Sequence, residues 1–221
     1  MWDLSFIADI VFFIILLISS IYGIIKFFKK KSVLFMQIIV CAIICMALGQ
    51  LFNIVYHLTA PETSNAFHVG FLGMMGCYFF LFSASFGQID GLGDSKDKSL
   101  RAYRIIPIVM PICFIACYGI IFMSDLSLTI KVIDGLIILV IALTSYFNLK
   151  HLILPDVACG ILESIRKYNA LIITITIVTM IKLLLPACGY GTFTYIPTFV
   201  LAVLYIFVIP TASKGVKKWF Q

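Results

Sequence analysis

Gln50, Asn53 and His57 stand three and four residues apart in an apolar run, a spacing that places two amides and an imidazole on one helix face. Asp134, Ser145 and Asn148 form a second stripe, because steps of eleven and fourteen residues return nearly to the same helical angle. Thr176, Thr179 and Lys182 form a third at steps of three. Amides, an imidazole, a carboxylate and an ammonium suit the reversible holding of a small polar molecule by hydrogen bonds and charge. Polar groups in hydrocarbon are costly, so by default they face a bundle interior or a wet cavity and mark its site. Gln50, Asn53, His57, Asp134 and Lys182 are therefore the expected ligand-binding residues.

The elements that must position them are membrane helices. Of 221 residues, 62% are hydrophobic and 12% charged, against roughly 45 to 50% and about 25% in an ordinary soluble domain. Apolar blocks run 5–26, 33–57, 67–89, 105–123, 127–148, 168–187 and 192–212, each long enough to cross about 30 Å of hydrocarbon. The expected fold is a single-domain, all-α integral membrane protein, a seven-transmembrane-helix bundle over 1–221. The stretch 149–167 reads as a loop carrying a short interfacial helix.

Orientation follows from charge. Of 16 lysines and arginines, all but Lys131 and Lys182 fall in the joints after the first, third and fifth blocks or in the tail. Basic joints are retained on the cytoplasmic side, which predicts the N-terminus outside and the C-terminus in the cytoplasm, in the cell membrane. The formal charge of +6 thus reports topology and points away from nucleic acid. The first block, flanked by Met1-Trp2-Asp3 with no basic residue, is expected to stay as a helix and not to be cleaved as a signal peptide. The tail from Lys214 to Phe220 is expected to lie against anionic headgroups.

At 1.5 Å per residue, Lys182 lies about 8 Å and Asp134 about 10 Å below the outer ends of their helices. Similar depth on neighbouring antiparallel helices predicts that the two pair, as buried opposite charges require. The rival expectation is that Lys182 snorkels its ammonium outward. Asp9, His57 and His68 lie near the outer boundary, where interfacial solvation is expected. Gly70, Gly73, Gly76, Ser83 and Gly87 should let neighbouring backbones approach the third helix. Pro107, Pro111 and Pro197 should bend their helices by removing backbone hydrogen bonds.

Other chemistries lack their residues. Cys41, Cys45, Cys77, Cys113 and Cys117 fall inside apolar blocks, Cys159 lies in a basic joint and Cys188 near an outer joint, so no outer pair can form a disulfide. With no Cys/His cluster at ligand spacing, neither a metal nor a cofactor is expected. Gly91-Leu92-Gly93-Asp94-Ser95-Lys96 resembles the Gly-x-Gly-Asp-x-Lys segment of membrane aspartyl peptidases that process prepilin leaders, over six residues. The resemblance implies a catalytic Asp94 working with a second aspartate, one accepting a proton while the other donates. The chain departs from that pattern: the upstream aspartates are Asp3, Asp9 and the adjacent Asp90, and Lys98, Arg101 and Arg104 follow where the family enters a helix.

Seven helices in this orientation are similar to those of rhodopsins and G-protein-coupled receptors. However, the block 192–212 holds no lysine for a retinal Schiff base, and Gln88-Ile89-Asp90-Gly91 stands where the receptors carry an acidic-Arg-aromatic triplet. Three classes of function remain. A receptor or sensor would bind a small polar ligand from the outer side and signal through a cytoplasmic protein at its basic inner rim. A small-molecule transporter would hold substrate near the midplane on broken helices. A membrane-embedded enzyme acting on lipid or peptide would have only Asp94, Asp156 and Glu163 at the cytoplasmic rim as acids. The bilayer itself is the one partner common to all three.

Overall fold

A computed structural model describes residues 4–29, 33–59, 69–87, 100–155 and 161–217. These are almost entirely helical, as expected of backbone that must satisfy its own hydrogen bonds in hydrocarbon. The helices are α1 (Leu4–Phe27), α2 (Leu34–Thr59), α3 (Gly70–Ser85), α4 (Arg101–Met123), α5 (Leu128–Ile153), α6 (Ile161–Ala187) and α7 (Tyr195–Lys217). No strand occurs among the described residues.

Local chemistry accounts for where several of them stop and start. Ser127 caps α5, its hydroxyl oxygen accepting from the Ile130 amide at 3.4 Å. Gly189, at φ +82°, closes α6: its amide donates to Pro186 and that of Tyr190 to Leu185, the paired bonds of a left-handed helix end. Threonines in the apolar helices satisfy their hydroxyls on the preceding turn, as Thr174 does on Ala170 and Thr211 on Phe207.

Six helices, α1, α2, α4, α5, α6 and α7, are long and apolar enough to cross a membrane. Of the seventh expected span, 67–89, the ends 67–68 and 88–89 lie outside the described residues; α3 within it has 16 residues, about 24 Å at 1.5 Å per residue. In the stretch 149–167, read as a loop with an interfacial helix, residues 156–160 lie outside the described residues, and the flanks differ from that reading. Residues to Ile153 extend α5, those from Ile161 are the first turns of α6, and Lys150 and His151 are buried inside the bundle.

Pro107 sits in a short 3-10 turn, Ile106–Ile108, that divides α4. Pro197 falls in the first turn of α7, where its missing N–H costs no helix bond, so it is no interior break. Pro210, by contrast, lies inside α7.

Neighbour relations close a ring: α1 packs on α2, α2 on α3, α3 on α5, α5 on α6, α6 on α7, and α7 back on α1. Helix α4 stands outside, against α5 and α6, and is the least buried of the six long helices. Residues facing outward are large and apolar, among them Ile18, Leu48, Ile115 and Val203, which suits a lipid surround.

Because hydrocarbon gives helices no hydrophobic reason to associate, close packing must hold them, and α2 and α3 meet backbone to backbone. A Cβ built on Gly73 would lie 2.4 Å from Gly49 Cα, and one on Gly49 would lie 2.7 Å from Gly70 O. Gly76 contributes only ordinary contact with Cys45, while a Cβ on Gly87 would meet none of the described residues within 4 Å, against expectation.

Candidate functional site

One end of the ring, where α1, α5 and α7 begin and α2 and α6 finish, holds a cavity of about 520 Å³. The face of α2 carrying Gln50, Asn53 and His57 forms one wall. Asp134 from α5 and Lys182 from α6 line the same space, so the structure brings all five sequence-predicted residues around a single cavity. The helical periods explain this: each triplet was on one face, and the ring turns those faces inward.

Depth grades their environments. Gln50 is 4% exposed, Asn53 is half-buried and His57 lies at the open rim, stacked on Phe6 with ring centroids 4.9 Å apart. Gln50 Nε2 and Asn53 Oδ1 are buried with no hydrogen-bond partner among the described residues. Asp134 is 5% exposed and likewise has neither an ion-pair nor a hydrogen-bond partner among the described residues.

The expected Asp134–Lys182 pair does not form. Lys182 Nζ instead reaches Asp9 Oδ1 at 3.9 Å, the two side chains being 25% and 28% exposed. Matching depth on adjacent helices was necessary but not sufficient, because the direction in which a lysine leaves its helix decides its partner. Asp9, read from the sequence as an interfacial solvated acid, is therefore part of the cavity wall. Its signal was present in a stripe, Ser5, Asp9 and Phe12, at steps of four and three on α1.

The floor is a layer of aromatic and hydroxyl groups. Tyr78 of α3, fully buried, hydrogen-bonds to Thr179 of α6. Thr179 gives its own proton to Ile175 O at 2.9 Å, which leaves the phenol as donor in the Tyr78–Thr179 bond. Thr144 of α5 shares its hydroxyl proton between Val140 O at 2.8 Å and Tyr78 O at 3.1 Å, the second contact reaching α3, and Tyr205 meets Cys77 Sγ at 3.3 Å just behind.

Beyond the floor the interior stays polar in places. Ser85 Oγ, Asn148 Oδ1, Tyr168 OH and both amide atoms of Asn169 are buried without hydrogen-bond partners. Asp134, Ser145 and Asn148 do share the buried face of α5, with Ser145 and Asn148 bonding back to Ala142 O and Thr144 O.

The described parts of the molecule hold no trio of His, Cys, Asp or Glu placed to grip a metal. Of the rim acids, Glu163 is exposed in the first turn of α6; Asp94 with its Gly91–Lys96 motif, Asp156, Cys159 and His68 lie outside the described residues. The arrangement can thus bind a molecule through amides and charge. The chain matches no protein-family model, no curated protein and no solved structure.

Proposed function

We propose that this multi-pass membrane protein is a receptor or sensor that takes a small polar ligand from the outer side into the ring cavity. The observation that carries this is the pair of amide atoms, Gln50 Nε2 and Asn53 Oδ1, buried on the cavity wall without partners. An unpartnered buried polar group costs about 1 to 3 kcal/mol, a cost that a bound ligand removes by supplying the missing bond. A volume of about 520 Å³ falls within the range of small-molecule sites. The cavity opens at the end of the bundle that charge distribution puts outside, and the basic residues at the other end, such as Arg101, Arg166 and Lys214, offer a surface to a cytoplasmic protein. In this reading α3 makes the seventh crossing, because it stands in the ring between α2 and α5.

The test is thermal unfolding of the purified full chain in detergent across a library of small polar compounds. A compound at a hundred times its Kd adds about 2.7 kcal/mol. It should stabilise the wild type and lose its effect in the Gln50→Leu and Asn53→Leu variants. If nothing in the library stabilises the wild type, or the hits survive both substitutions, the cavity is not the site. One observation favours a transporter as the second reading: unpartnered polar atoms on Asn148 and Asn169 continue the polar interior toward the opposite end. Uptake of a stabilising compound into proteoliposomes would decide for that reading.

A further inference from the structure

We infer that the ligand is an organic monocation, a small ammonium compound whose charged head sits against Asp134; this rests on the cavity being a ligand site. The ionisable groups that line it are Asp9, Asp134, Lys182, His57, Tyr56 and Tyr78. Asp9 and Lys182 stand 3.9 Å apart on α1 and α6 and balance each other. Asp134, on α5, is left with no counter-charge among the described residues, although it is 5% exposed. A buried carboxylate without a partner is strongly unfavourable and is relieved by a proton or by a cation; the cavity of about 520 Å³ beside it gives room for the cation. An anion would meet net negative charge and a lysine already engaged.

The rest of the wall agrees in kind. Phe12, Tyr56, Phe71 and Tyr78 present aromatic rings, whose faces attract cations, and Met46 and Met74 add polarisable sulfur. The cavity is too large for a bare metal ion, and no metal-binding trio is present among the described residues. Partner-free Gln50 Nε2 and Asn53 Oδ1 then read the polar part of the molecule beyond its ammonium group.

Three probes of like shape and different charge test this: phenethylamine, 2-phenylethanol and 3-phenylpropionate, each added at the same millimolar concentration to the full chain in detergent. The amine should raise the unfolding temperature, with an affinity about tenfold or more above the alcohol, the scale of losing one member of a desolvated charge pair. The carboxylate should have no effect. Asp134→Asn should abolish the preference for the amine while unfolding no earlier than wild type, since it removes an uncompensated charge. Lys182→Met, which frees Asp9, should strengthen amine binding. If the alcohol or the carboxylate stabilises as well as the amine, or Asp134→Asn keeps the preference, the charge assignment is overturned while the cavity remains a ligand site. If none of the three acts and the library also yields nothing, both fall.

Discussion

Replacing Gly73 by alanine tests the packing on which the cavity wall depends. The added Cβ would lie 2.4 Å from Gly49 Cα, 2.6 Å from Gly49 N and 2.7 Å from Cys45 O. Ordinary carbon contact begins near 3.5 Å, so α2 must retreat from α3 by about 1 Å. All three atoms are backbone, which cannot rotate aside as a side chain would. Overpacking costs about 1 to 3 kcal/mol, and this geometry argues for the upper end, about 3 kcal/mol. For a chain of this size that is a fall of about 6 to 12 °C in unfolding midpoint. Gly119→Ala is the internal control: nothing lies within 4 Å of its Cβ, and removing a helix glycine there should gain up to about 1 kcal/mol. The assay is thermal unfolding of both variants in one detergent. Because Gly49 and Gly70 line the cavity, Gly73→Ala should also weaken any ligand found. A Gly73→Ala midpoint at or above that of Gly119→Ala would mean that α2 and α3 are not in backbone contact, and the ring would need redrawing.

Gly189→Ala should cost about 1 to 2 kcal/mol although its surroundings are open, because the strain lies in the left-handed φ of +82°; an unchanged midpoint would contradict that helix end. A double-mutant cycle of Asp9→Asn with Lys182→Met should give a coupling of about 0.5 to 1 kcal/mol, modest because both groups are partly exposed, whereas Asp134→Asn with Lys182→Met should give none. The reverse result would restore the pair expected from depth. Asn169→Leu removes a buried amide with two unpartnered atoms and should raise stability by about 1 kcal/mol or more, unless that amide serves a transported substrate; a loss of uptake in the variant would favour the transporter reading. In a Cys159→Ser background, a membrane-impermeant maleimide should label exposed Cys188 on intact cells if the proposed orientation holds. Labelling only after permeabilisation would reverse the topology.

Much of the molecule was legible from residue order. Apolar blocks located the long helices to within a few residues over most of their length, since hydrocarbon length is a property of one segment and needs no partner. The same is true of the polar faces. Gln50, Asn53 and His57 had to share a side of α2, and Asp134 had to share one with Asn148, because helical period is set by the backbone alone. Extra turns at the start of α6 were hidden by a charged composition, Glu163 with Arg166 and Lys167, that reads as loop or interface when taken without its neighbours.

What only the tertiary structure decided is which faces meet. It set Lys182 against Asp9 on α1 and left Asp134 without a partner among the described residues. It matched Gly73 with Gly49, a residue with no mark of importance in its own helix. It excluded α4 from the ring although α4 is as apolar as the others. The physical reason is common to these cases. Periodicity tells one helix which side is polar, but the identity of its neighbour depends on the shapes of two surfaces at contact, and that information is shared between segments far apart in the chain.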